Sequence, residues 1–133
     1  MMLGNTNGDS KFIMHLIKEN TIGAEIGVWK GSSSREFIKK NLKKFYMVDP
    51  WSVSGYEEPI SNKDETFSLE NFYNKYSKIV GSKSEKDFNS HYESIYKKII
   101  KEFSHLPEVE IVRKNSTDFF NSFFGFSPFQ LSL

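Results

Sequence analysis

Positions 21–38 read TIGAEIGVWKGSSSREFI, and this stretch constrains the fold more than any other. TIGAEIGV is a short apolar run suited to a buried strand, with one acid, Glu25, inside it. Gly31 closes a sharp turn, and a serine among Ser32–Ser34 can cap a helix running to about Lys44. Phe37, Ile38 and Leu42 form the inner face of that helix. Lys39, Lys40, Lys43 and Lys44 crowd its last turns, where cations favour the negative end of the dipole. A strand that passes so soon into a helix must find its partner strand further along the chain.

That partner is KFYMVDP. Pro50 cannot continue a central strand, so Asp49 falls at its carboxyl end. Upstream, KFIMHLIKEN predicts a short helix capped by Asp9 or Ser10, with Phe12, Ile13, Leu16 and Ile17 on one face. From Trp51 to about Lys63 the chain reads as irregular. Two helical patterns follow, in DETFSLENFYNKYSKIV and in SEKDFNSHYESIYKKIIKEFSHL, separated by GSKS. VEIVRK reads as a third strand, and NSTDFFNSFF as the start of another helix capped by Ser116 or Thr117. Strands alternating with helices predict an α/β fold: a Rossmann-like parallel sheet with right-handed crossovers, flanked by helices. The chain is a single domain, 1–133, carrying a two-helix insertion at about 52–106. That insertion is either a helical flap packed on the sheet or a lid over the strand ends.

Composition narrows the function. At 133 residues the chain can bury a core without disulfide or metal staples, and it holds no cysteine. Thiolate zinc sites and cysteine nucleophiles are therefore excluded. Lys and Arg number 18 against 17 Asp and Glu, so no single-sign field argues for nucleic acid or an anionic membrane. Lysine far outnumbers arginine, which weakens the nucleic-acid case further. No apolar run approaches the roughly 20 residues a membrane helix needs, and MMLGNTNGDS lacks the pattern of a secretory signal. The expectation is a soluble, cytoplasmic protein. His15, His91 and His105 are widely spaced and form no metal-binding pair, so no metal is expected. The serines lack a nucleophile elbow and a matched base, and read as a helix start. Glu57 and Glu58 read as solvated loop acids.

In an open α/β sheet, ligands sit beyond the carboxyl ends of the strands. There the Gly27–Gly31 turn and Asp49 would lie side by side, and an acid about 20 residues past the glycine turn can accept from ribose hydroxyls. A dinucleotide fingerprint requires a glycine where Trp29 stands, and its last glycine is Ser32 here. A P-loop fails because Lys30 precedes Gly31 and no G-K-[ST] follows. A ligand with a ribose but no phosphates remains. S-adenosylmethionine fits, since an acid such as Glu25 favours its cationic amino-acid tail. Trp29 reads as packing at the pocket rim. Trp51 reads either as an adenine-pocket wall or as core.

AEIGVWKGSSSREFI followed by FYMVDPW resembles the first half of a class I S-adenosylmethionine-dependent methyltransferase, nearest a bacterial branch with E-I-G-V-x-x-G-x-S and D-P-W. The resemblance covers roughly 21–124. It implies that Glu25, Gly27 and Gly31 hold the methionine end of the cofactor and that Asp49 binds the ribose. RKNST resembles the segment beside the adenine, which makes Ser116 a further cofactor-binding residue. The implied activity is methyl transfer to a small-molecule or sugar-like acceptor. Family members continue into a fourth strand ending in an acidic, histidine-bearing turn, whereas this chain reads GFSPFQLSL. The expectation is a truncated chain, a fragment or a frameshifted end, with an incomplete sheet whose uncovered edge invites a homo-oligomer. No catalytic residue is assigned, because the segment that would carry it is missing. Two rivals stand beside this reading: an inactive cofactor-binding remnant, and a nucleotide- or dinucleotide-binding Rossmann-like protein.

Overall fold

Three short strands form one parallel sheet: β1 (Ile22–Ile26), β2 (Lys44–Val48) and β3 (Val109–Val112), in the order β1-β2-β3. A computed structural model describes them together with the rest of residues 14–53 and 69–124. Four helices flank the sheet: α1 (Ser32–Phe37), prolonged by a 3-10 turn over Ile38–Lys40, then α2 (Leu69–Val80), α3 (Glu85–Phe103) and α4 (Ser116–Phe124). The sheet is open, and the arrangement is Rossmann-like, as the alternation of elements requires.

Register sorts the side chains. Gly23 pairs with Phe45 and Glu25 with Met47 across the first ladder; Phe45 pairs with Val109 and Met47 with Ile111 across the second. Because strand residues alternate between faces, these positions share one side of the sheet. Phe45, Met47 and Val109 there join Phe37, Leu42, Ile95, Ile99 and Phe103 in a single buried cluster, so α1 and α3 cover this face. Tyr46 points the other way. Its ring meets Phe119 and Phe123 of α4 at centroid distances of 5.7 and 5.0 Å. Because the strands are parallel, their carboxyl ends, at Ile26, Val48 and Val112, lie along one margin of the sheet.

The second helix of the expected insertion is part of the fold's frame. Helix α3 is the crossover that carries the chain from β2 to β3, and Phe88, Ile95, Ile99 and Phe103 are all buried along it. Ser84 caps it by accepting from the amide of Asp87, and Glu85 and Asp87 favour its positive end. Arg35 of α1 reaches across to Glu102 with three hydrogen bonds, from Nε to Oε2 at 2.8 Å and to Oε1 at 3.1 Å, and from Nη2 to Oε1 at 2.9 Å. Helix α2 buries no residue fully and packs through Phe72 and Tyr73 against Phe88.

Several boundaries differ from the sequence reading, each for a local reason. The first helix reaches only Met14 among the described residues; Asn20, at φ 60°, then turns the chain, and its amide donates to Asn41. The caps expected at Asp9 or Ser10, the acids Glu57 and Glu58, and the tail GFSPFQLSL lie outside the described residues. Helix α1 and its 3-10 turn stop at Asn41, also left-handed at φ 53°, so the lysines 43 and 44 belong to the strand entry. No serine caps α1, whose N-cap is Gly31. Helix α4 is capped by Asn115, whose Oδ1 accepts from the amide of Asp118, one position before the expected serine. The outer edge of β1 pairs with no strand among the described residues, and Ile22 there is 60% exposed.

Gly31 ties the turn to the core. Its φ of 79° is left-handed, and an added Cβ would lie 3.0 Å from Ile99 Cδ1 and 3.2 Å from Phe103 Cε2. Gly31→Ala is expected to destabilise by more than ~1 kcal/mol through strain and crowding together. Phe103→Ala is expected to destabilise by ~3–5 kcal/mol, since the ring is fully buried. Urea unfolding midpoints check both.

Candidate functional site

The site grows from the turn after β1. Gly27 has φ 87°, and nothing stands within 4 Å of where a Cβ would be, so its backbone borders open space. Its amide still extends the ladder by donating to the carbonyl of Val48 at 2.9 Å. Trp29 follows at φ 51°, a left-handed value that a bulky side chain holds only under constraint. Trp51, two residues beyond the end-of-strand acid, stands at φ 43°. Two strained tryptophans therefore flank Asp49, each strain costing about 1–3 kcal/mol.

Asp49 supplies the constraint. Its Oδ2 accepts from the amide of Trp29 at 2.9 Å, and its Oδ1 from the amide of Trp51 at 2.7 Å. The indole Nε1 of Trp51 donates in turn to the carbonyl of Trp29 at 2.9 Å, which closes the knot. Burial pushes the Asp49 carboxyl up from its ordinary value, and the amides of Trp51, Trp29 and Val28 pull it back. A carboxylate has about four acceptor positions. With the amides of Trp29 and Trp51 on it, Asp49 keeps acceptor capacity for a further donor.

Glu25 lies beside it on the covered face of the sheet. The hydroxyl of Ser34 donates to its Oε2 at 2.5 Å, and Ser34 itself is 0% exposed. This is why a serine run opens α1: Ser34 is the buried partner of an acid in the preceding strand. Burial raises the Glu25 carboxyl from 4.5 to about 7; the Ser34 hydroxyl lowers it and the nearby charge of Asp49 raises it. Neither acid has a cationic partner at ion-pair distance among the described residues. Two carboxylates that sense each other thus meet at the ends of adjacent strands, beside the opening at Gly27.

The loop carrying Asp49 is locked from the far side. Arg113, just past β3, donates from Nε to the carbonyl of Pro50 at 3.3 Å and from Nη2 to that of Trp51 at 3.2 Å. It also pairs with Glu93 of α3, and its guanidinium lies 4.2 Å from the centroid of Tyr96. Asn89 Oδ1 accepts from the amide of Val53 and the hydroxyl of Ser52. Sequence reasoning passed over Arg113 and Asn89. Nothing in their local pattern marks them, because these partners, three backbone groups and the Ser52 hydroxyl, lie 36 to 63 positions away.

Of the residues singled out in the sequence, Glu25, Gly27 and Asp49 converge at the strand ends. Gly31 is buried against α3 and faces the core. Ser116 is exposed on the first turn of α4, and no hydrogen bond among the described residues joins it to the other four. Trp51 is core: it is 0% exposed and packs at 5.1 Å on Tyr96. Trp29 stands at the rim, 41% exposed. Among the described residues no three His, Cys, Asp or Glu side chains gather as a metal site, and no helix is long and apolar enough to cross a membrane.

Fold and site together define a class: an open Rossmann-like α/β protein with two half-buried acids at adjacent strand ends. Comparison with known protein families, with curated proteins and with solved structures finds no match for the chain.

The acids make stability depend on pH in a stated direction. Glu25 binds its proton more tightly folded than unfolded, so stability falls as pH rises from about 4.5 through about 7. Asp49, also raised, adds in the same sense from a lower starting pH. The Glu25 contribution is on the order of 3 kcal/mol. Glu25→Gln is expected to flatten this dependence, which urea midpoints at pH 5 and pH 8 would show; an unchanged slope contradicts the assignment.

Proposed function

We propose that this chain binds S-adenosylmethionine and serves methyl transfer to a small-molecule or sugar-like acceptor. The observation that carries the reading is the pair of half-buried acids, Glu25 and Asp49, with no cationic partner among the described residues and no described atom within 4 Å of a Cβ position at Gly27 beside them. Such a site attracts a cation and a hydroxyl donor. It repels a pyrophosphate, whose charges would face two carboxylates in a partly desolvated cleft. The residues present fit the cofactor's chemistry on those grounds: Asp49 offers an acceptor to the ribose, and Glu25 offers a carboxyl that an ammonium end would draw toward its charged form.

The group that Glu25 and Asp49 would hold there would supply an electrophilic methyl on a positively charged sulfur. The chain's own part is positioning. The amides of Trp29 and Trp51 hold one oxygen each of Asp49, so a ribose bound to it would meet an oriented carboxylate. Gly27 allows close approach to the backbone of the turn. Holding two reactants in line supplies most of the acceleration in such a transfer.

Calorimetric titration with S-adenosylhomocysteine and with a nicotinamide dinucleotide tests the reading. The thioether ligand is expected to bind and the dinucleotide to give no heat. Asp49→Asn keeps one acceptor oxygen, and is expected to weaken binding about tenfold or more, as loss of a charge-assisted hydrogen bond does. A dinucleotide that binds while S-adenosylhomocysteine does not would sink the proposal.

A further inference from the structure

Trp29 is an expensive residue for its place. It occupies a left-handed position that glycine fills without strain, yet its ring adds little to the core, standing 41% exposed at the rim. Both of its backbone polar groups are pinned, the amide by Asp49 and the carbonyl by the indole of Trp51. The ring is therefore carried on a backbone held from both sides. One cation already lies against it. Lys30 Nζ stands 4.6 Å from the centroid of the Trp29 ring, and Lys30 makes no ion pair among the described residues.

A tryptophan face is the best aromatic seat for a cation, because its quadrupole presents negative density to charge above the ring. Glu25 and Asp49, behind the same turn, add attraction of the same sign. We propose that the Trp29 face is the seat for the sulfonium of the methyl donor, and that Lys30 is a placeholder the donor displaces. This inference rests on the reading of the site as an S-adenosylmethionine site and adds a specificity-determining residue to it. The donor carries a positive charge at sulfur and its by-product, S-adenosylhomocysteine, carries none. The two are otherwise alike save for the methyl group. Trp29 thus favours the charged donor and loses its hold once the methyl has left, which speeds discharge of the by-product.

The test compares calorimetric affinities for S-adenosylmethionine and S-adenosylhomocysteine in the whole chain. Wild type is expected to prefer the charged donor. Trp29→Leu should reduce that preference by ~3- to 30-fold, and Trp29→Tyr should retain part of it, following the order of ring strength for cations. Lys30→Gln should tighten donor binding by ~2- to 5-fold and leave by-product binding unchanged, since only the charged ligand competes for the seat. A donor-to-by-product ratio that is the same in wild type and Trp29→Leu overturns the proposal. Should Trp29→Leu fail to fold, Lys30→Gln decides alone: unchanged donor affinity overturns it. If wild type binds neither ligand, the methyl-donor reading falls, and this inference with it. Binding of both ligands with no response to either substitution removes this inference only.

Discussion

The carboxylate of Asp49 is the interaction on which the rest of the site depends. It accepts from the amides of Trp29 and Trp51, two bulky residues in left-handed backbone conformations that neither would hold unaided. The gain from charge-assisted hydrogen bonds offsets strain at both positions. In return the turn after β1 and the loop after β2 are tied into one rigid rim. Burial of Trp51 against Tyr96, and its indole bond to Trp29, complete the same knot. A single acid at a strand end is thus at once a structural clamp and a polar group with acceptor capacity left for a ligand.

Support for that rim comes from α3 and from the residue after β3. Arg113 grips two carbonyls of the loop and is braced by Glu93 and Tyr96 of α3. Asn89 of the same helix holds the next two residues of the loop. Helix α3 in turn is seated by Ile95, Ile99 and Phe103 in the core, with Gly31 packed against the last two. The chain of contacts runs from an apolar core, through a crossover helix, to the backbone of the candidate site. Its acids then meet in a setting where burial keeps both reluctant to ionise. Such a setting rewards a positively charged ligand more than a surface site would.

Much of the fold was legible in the chain. The three strands, the helix after the glycine turn and the strong periodicity of 84–103 all appear where apolar spacing puts them, because burial of one face decides each. The errors cluster at ends. The spacing predicts a helix through lysines 43 and 44 and caps at serines, where the structure has a strand entry and caps at Gly31 and Asn115. Left-handed turns at Asn20 and Asn41 cut elements short, and single asparagines carry too little signal to announce that. Glu25, Gly27 and Asp49 come together at the strand ends because their spacing follows from a strand, a turn and a strand. Trp51 stayed undecided between pocket and core, and burial placed it in the core.

The sequence by itself determined the order of elements, the acid inside the first strand and the acid closing the second. Local periodicity and a proline stop are properties of neighbouring residues, and they need no third dimension. Only tertiary structure decided what those acids touch. Ser34 became the partner of Glu25 because α1 folds back over β1, and Asp49 became a clamp because two distant loops present amides to it. It also decided that the second helix of the apparent insertion covers the sheet and that Arg113 braces the site. These are contacts between groups many residues apart, set by how layers pack, and no local pattern encodes them.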